Sequence, residues 1–199
     1  ETDSKPPFVE DLNITEIVND VVFSFVEYAN TRKAKFYKIV PNVLKWNSDR
    51  NYITTIVTNL LSNAFKYMSD EGTVEIEVRQ EINDLIIRIS NTGKGIKEKD
   101  LNSTFDRHII LNNLENDESN RLWSRNGLGL AISNSMVKNL SGTIEVQSTL
   151  YEWTHFIITL PMIDRSMDQI RDNLPSEVTK QIDVLDEMLQ NSIRLPKLT

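Results

Sequence analysis

Asn59, Asn63 and Lys66 stand four and three residues apart in the stretch Asn-Leu-Leu-Ser-Asn-Ala-Phe-Lys-Tyr. At about 100° per residue in a helix they share one face, with Tyr67 on its border. Carboxamide oxygens are hard ligands suited to Mg²⁺, which is commonly held together with substrate phosphates. A lysine one turn on adds a point charge for those phosphates. A solvated helix face more often carries Lys and Glu. A plain amphipathic helix with scattered asparagines would share this spacing, so the nonamer alone does not decide between them.

The helix itself is written in Ile53, Ile56, Val57, Leu60, Leu61, Ala64, Phe65 and Met68, an apolar stripe at helical spacing that predicts a helix from about Asp49 to Met68. A first helix is predicted over Asp11 to Ala34, from Ile14, Ile17, Val18, Val21, Val22, Phe25, Val26 and Ala29, with Asn13 or Thr15 as N-cap. Lys35–Val40 and Val43–Trp46 read as short strands around Pro41-Asn42. Thr73–Arg79 alternates apolar and charged residues as a half-buried strand does, and Glu81–Asp84 turns it into a second strand, Leu85–Ile89. A charged segment with a short helix runs to Phe105, and residues 112–121 are polar and aperiodic, the pattern of a surface loop. A further helix carries Leu130, Ile132, Met136, Val137 and Leu140 and stops at Gly142. Thr143–Gln147 and Trp153–Leu160 are strands closed by Pro161. This order predicts an α+β fold, a sandwich of a mixed, mostly antiparallel sheet covered by helices on one face. Residues 162–199 carry helical spacing without a strand pattern, with a break at Pro175, and read as a helical tail or linker following a domain over 1–161.

Two glycine pairs frame this order. Asn91-Thr92-Gly93-Lys94-Gly95-Ile96 follows a strand, and its glycines permit positive φ and close approach of a ligand to the backbone. It lacks the third glycine of the dinucleotide fingerprint and the Gly-Lys-Ser/Thr of a P-loop. Gly127-Leu128-Gly129-Leu130 opens a helix, whose N-terminal amides and dipole suit a phosphate. Either pair alone could be an ordinary turn. Their order after the Asn59–Tyr67 helix carries the specificity.

Composition narrows the remaining classes. The 199 residues are 39% hydrophobic and 26% charged, as in a globular protein, with net charge −7. That charge argues against non-specific nucleic-acid binding, and no apolar run reaches the length of a membrane span. The absence of cysteine excludes a disulfide framework and thiolate chemistry, and the two histidines, His108 and His155, lie in unrelated contexts. A cytoplasmic setting is the expectation.

From Phe8 to Pro161 the chain resembles the catalytic ATP-binding domain of sensor histidine kinases, of the superfamily (GHKL, with the Bergerat fold) that includes gyrase B, the large heat-shock chaperone and mismatch-repair ATPases. Asn59–Tyr67 is similar to the family's N box, Asn91–Ile96 to its first glycine box, Phe105-Asp106-Arg107-His108 to its F box and Gly127–Leu130 to its second glycine box. The wording of the first two looks most like hybrid two-component sensors of Bacteroides-type bacteria. The resemblance implies a two-layer α/β sandwich that binds ATP and Mg²⁺. Asn63 would coordinate the metal, Asn59 and Lys66 would meet phosphates or ordered waters, and Tyr67 would pack beside the nucleotide. Asn91, Gly93, Gly95, Ile96, Phe105 and Arg107 would complete the nucleotide site with the backbone of Gly127, Leu128, Gly129 and Leu130, under a lid over residues 109–125.

Three positions depart from the family pattern. Asn91 stands where an aspartate normally accepts the adenine amino proton; its amide can still accept that proton and donate to a ring nitrogen, through neutral rather than charge-assisted bonds. Arg125 stands where a glycine normally opens the second box, where it could stiffen the lid or add a phosphate contact. His108 replaces the second aromatic of the F box and is expected to pack in the lid. Neither histidine has the His-Glu-x-x-x-Pro-like setting of the phosphoacceptor. The resemblance therefore implies a catalytic domain of a longer protein, the cytoplasmic part of a membrane-anchored sensor. It would pass the γ-phosphate to a histidine on a separate dimerisation domain of the same receptor, with a response regulator or receiver domain as further partner. The alternative is a degenerate module that binds nucleotide weakly or relays conformation only.

Overall fold

A computed structural model of the chain describes residues 7–105 and 128–163. The chain divides into two units at Met162, and all of the second except Ile163 lies outside the described residues, including the expected tail helices.

In chain order the elements are β1 (Glu10–Asn13), α1 (Ile14–Thr31), β2 (Lys35–Ile39), β3 (Lys45–Ser48), α2 (Arg50–Tyr67), β4 (Thr73–Glu81), β5 (Asp84–Thr92), α3 (Glu98–Leu101), α4 (Gly129–Asn139), β6 (Thr143–Thr149) and β7 (Trp153–Pro161). Five strands form one sheet in the order β2-β4-β5-β7-β6, in which only β2 and β4 run parallel. Parallel neighbours need a crossover, and α2 lies within it. The helices lie side by side, α1 on α2 and α2 on α4, over one face of the sheet. The fold is the α+β sandwich with a mixed, mostly antiparallel sheet that the strand and helix patterns predict.

Alternation puts one apolar row from each strand under those helices: Val74, Ile76 and Val78 on β4, Leu85, Ile87 and Ile89 on β5, Phe156, Ile158 and Leu160 on β7. The seven apolar residues of α2 from Ile53 to Phe65 face them and are buried. Phe65 is fully buried at the centre of an aromatic cluster, with Phe25 stacked at 5.5 Å and Tyr28 and Phe36 edge-on at 5.6 and 5.1 Å. Burying such a ring contributes roughly 2 to 3 kcal/mol. Asp49 caps α2: its carboxylate accepts from the Tyr52 amide at 3.1 Å, and its other oxygen accepts from the Phe8 amide at 2.7 Å.

Three local expectations are corrected. Residues 10–13 are not the first turn of α1 but a strand, antiparallel to β3 in a separate two-stranded sheet. Asn13 does occupy the N-cap position, yet its side chain donates to Glu16 at 2.8 Å and leaves the helix amides uncapped. Where α4 ends, the left-handed residue is Ser141, at φ 58°, and Gly142 follows it in the space between Val137 and Leu160.

Candidate functional site

The polar face of α2 meets the start of α4. Asn59 Nδ2 donates to the carbonyl oxygen of Gly129 and to Ser133 Oγ, each at 3.2 Å. A Cβ on Gly129 would stand 3.4 Å from Asn59 Cγ, so the first residue of α4 lies directly against this carboxamide. Leu128 precedes α4 without a side-chain cap, which leaves the first-turn amides to other partners. One turn along α2, Asn63 is half-buried, and its carboxamide has no hydrogen-bond partner among the described residues. Lys66 Nζ stands 5.1 Å from the ring centre of Tyr67, whose side of the helix end is exposed.

The second wall comes from β5. Asn91 lies on its helix-facing row, between Val74 of β4 and Thr154 of β7, and is 5% exposed. Its Nδ2 donates to the Thr92 carbonyl oxygen at 3.3 Å. Beyond it, the loop 93–96 is clamped on both sides. Gly93 N–H donates to the Glu152 carbonyl (3.0 Å), Tyr151 N–H to the Lys94 carbonyl (2.9 Å) and Lys94 N–H to the Tyr67 carbonyl (3.2 Å). The Ile96 amide donates to Ser148 Oγ at 2.9 Å. Glycine is required here by space as well as conformation. A Cβ on Gly93 would collide with the Tyr67 carbonyl oxygen, and one on Gly95, at φ +63°, with that of Thr149.

Phe105 follows α3 and sets its ring edge-on to Phe156 at 6.2 Å, against the same sheet face. Leu128, Gly129 and Leu130 are half-buried at the start of α4. Arg107, Arg125, Gly127, His108 and the expected lid over residues 109–125 lie outside the described residues.

The sheet's opposite face carries a separate polar group. His155 Nδ1 is 2.7 Å from Ser90 Oγ, and its ring stacks on Trp153 at 4.2 Å. Burial, then the neighbouring Arg88 guanidinium, hold the His155 imidazole below the ordinary histidine pKa, against a smaller upward pull from Glu75. Arg88 itself bridges Glu75 and Glu77 at 3.1 and 2.5 Å. This face stands away from the helices and from the Asn-lined site.

Three residues of the site went unnoticed in the sequence: Ser133, Ser148 and Thr154. The signal was present for two of them. Ser148 and Thr154 are the polar members of otherwise apolar inward rows, Ile144-Val146-Ser148 and Thr154-Phe156-Ile158-Leu160.

The sequence profile of the histidine kinase-, DNA gyrase B- and HSP90-like ATPases matches residues 48–164, more than half of the chain. The chain belongs to that ATPase family. Among curated relatives of this ATPase-family domain, sensor protein RprX of Bacteroides fragilis is 31% identical over 165 residues, spanning 78% of this chain and 30% of its own length. Histidine kinase P4 of Formosa agariphila is 25% identical over 187 residues, spanning 94% of this chain and 13% of its own. The chain thus spans less than a third of the length of either relative. The solved catalytic domain of histidine kinase ThkA superposes with a TM-score of 0.67 at 20% identity, covering 78% of this chain and 98% of that domain, which shows the shared fold. ThkA has also been solved with the response regulator TrrA.

The residues present fit the ATP that this ATPase family binds. A helix N-terminus with uncapped amides and a lysine meet the needs of phosphates, while buried Asn91 and Thr154 interrupt an apolar sheet face that suits a planar base. No helix among the described residues is long and apolar enough to cross a membrane.

Proposed function

We propose that this chain is the catalytic domain of a sensor histidine kinase, which binds Mg·ATP and presents the γ-phosphate to a histidine on a separate dimerisation domain of the same receptor. The observation that carries this reading is the Asn59 carboxamide bound to Gly129 and Ser133. An amide takes up no proton at neutral pH, and this one is already engaged as a donor. The water-activating glutamate of the superfamily's hydrolases is thus replaced by a group that braces the phosphate-binding helix. Phosphoryl transfer rests mainly on positioning and charge neutralisation, which is what such a brace serves.

In this reading the amides of Gly127, Leu128, Gly129 and Leu130 receive the phosphates, Lys66 adds charge, and Asn91 with Tyr67 borders the base. The clamped backbone of Gly93, Gly95 and Ile96 forms the floor, with Phe105 and Arg107 of the F box beside it and Arg125 entering from the lid. The Asn63 carboxamide oxygen, a hard ligand, is the group that would hold Mg²⁺. That ion would neutralise phosphate charge. The domain occupies residues 1–161, and the 162–199 tail leads toward a further domain, a receiver or the docking site of a response regulator, in keeping with ThkA and TrrA. Access to ATP places the domain on the cytoplasmic side of a membrane-anchored sensor.

The test has two measurements. A fluorescent ATP analogue should bind the chain with an affinity that rises on adding Mg²⁺ and falls in Asn63→Ala. Steady-state ATP hydrolysis should stay well below about one turnover per second, the low end of ordinary enzyme rates. Hydrolysis at several turnovers per second would remove the transferase assignment. A folded sample that binds no nucleotide at millimolar concentration would instead make the chain a conformational relay module.

A further inference from the structure

We propose that the outward face of α1, with Phe23 as its anchor and Glu16, Asp20 and Glu27 as its acidic rim, docks a basic amphipathic helix of a partner protein.

α1 packs against α2 and the edge strand β2. Its core side is made of Ile14, Ile17, Val18, Val21, Phe25 and Ala29, all buried. The opposite side of such a helix carries polar residues when it meets only water. Here it carries Phe23, 80% exposed, with Val26 beside it at 42%. Phe23 is the most exposed large apolar side chain on the described helices. One exposed ring is ordinary on a protein surface; the residues around this one are not.

At about 100° per residue, Glu16, Asp20, Phe23 and Glu27 fall within about 60° of one another. They follow each other at steps of four, three and four residues, and Asn30 continues the row three residues on. That repeat is the seam along which a second helix lies at a shallow crossing angle. From Glu16 to Asn30 the row runs about 21 Å, or about four turns.

The charge on this row has one sign. α1 contains three acidic residues and no basic one, and its last turn lacks the cation that would favour the helix dipole. On β4, by contrast, Glu75, Glu77 and Glu81 each pair with an arginine. The side-chain carboxylates of Asp20 and Glu27 have no ion pair or hydrogen bond among the described residues, and Glu16 accepts only from the neutral Asn13 carboxamide. That sign selects the occupant. A second copy of α1 would set three carboxylates against three, and an anionic lipid surface or a nucleic acid would be repelled in the same way. A helix with an apolar stripe flanked by Lys or Arg satisfies the whole row: the stripe covers Phe23 and Val26 while the cations meet Glu16, Asp20 and Glu27.

The experiment follows the fluorescence anisotropy of two labelled helical peptides of about 22 residues, long enough to span the row, on titration with the whole chain. Both carry a leucine stripe; one is flanked by lysines and the other by glutamates. The lysine peptide should bind and the glutamate peptide should not. Phe23→Ser should weaken the lysine peptide at least about tenfold, the scale of losing one interface anchor. Asp20→Lys/Glu27→Lys should reverse the preference between the peptides. Glu98→Lys/Asp100→Lys, the same change of net charge on α3, should leave the preference as in the wild-type chain. All these side chains are exposed, so circular dichroism should show an unchanged fold. Equal weakening by the α3 pair would reduce the effect to attraction by net charge and overturn the proposal, as would failure of the lysine peptide to bind folded wild-type chain. A dimer in sedimentation that Phe23→Ser dissociates would give the face to a second copy. Binding to vesicles of phosphatidylcholine and phosphatidylglycerol that the same variant abolishes would give it to a membrane. Either result overturns the basic helix as occupant.

Discussion

Asn59 on α2 holds the first residue of α4 by a hydrogen bond of 3.2 Å to the Gly129 carbonyl, across 70 positions of sequence. The same amide nitrogen reaches Ser133 one turn further on, so a single side chain sets where the N-terminal end of α4 lies against α2.

Asn59→Ala should therefore act twice. Losing the two bonds should cost about 1 to 2 kcal/mol of stability, read from urea unfolding. Nucleotide affinity should fall by more than Ser133→Ala causes, because Ser133 removes only one of the two bonds. Equal effects of the two variants on affinity would mean that the Gly129 bond does not position the helix.

Gly95→Ala places a methyl group against the Thr149 carbonyl oxygen in a left-handed backbone conformation. A strained conformation of this kind costs about 1 to 3 kcal/mol, and the clash adds to it. The loop can respond only by leaving the β6–β7 turn, so nucleotide binding should be lost while most of the fold persists. Circular dichroism together with nucleotide titration separates local displacement from global unfolding.

Phe65→Ala removes the ring on which Phe25, Tyr28 and Phe36 converge. A destabilisation of about 3 to 5 kcal/mol is expected, large against the total stability of an ordinary domain. Phe65→Leu should recover most of it. Thermal unfolding of the two variants provides the comparison.

His155 gives the chain a pH-dependent contribution to stability. Its folded-state pKa is lowered by burial and by Arg88, so the unfolded chain binds the proton more readily. The contribution is fully present above the unfolded value of about 6.5 and is lost as pH falls through the folded value. Unfolding free energy measured from about pH 7.5 down to pH 5 should decline less steeply in His155→Gln than in the wild-type chain. Parallel curves would show that the imidazole titrates alike in the folded and unfolded chains.

Much of this architecture was legible because it is local. The apolar stripe from Ile53 to Phe65 and the alternation of Val74, Ile76 and Val78 each repeat with the period of one element, and the structure has those elements. Residues 10–13 were misread because the helix pattern beginning at Ile14 runs on without a break signal, while their partner strand, β3, lies beyond α1 and β2. The residue types of Asn59 and Asn91 were informative, but their bond directions were not. Those depend on the carbonyls of Gly129 and Thr92, and backbone position leaves no trace in residue identity. Ser141 shows the same limit from another side: glycine is the expected left-handed residue at a helix end, yet Gly142 is needed for space and its neighbour takes the strained angle.

The central place of β5 in the sheet has a consequence for how the domain comes into being. β5 pairs with β4 soon after it is made, but its other neighbour, β7, follows only after α4 and β6. Thr154, the Glu152 carbonyl and the Ser148 hydroxyl all arrive with that last hairpin. On the ribosome, where segments fold as they emerge, a nascent chain can present the Asn-rich helix and the glycine loop long before the loop has its clamp. The glycine loop therefore gains its full clamp in one late step, when the strand ending at Pro161 emerges.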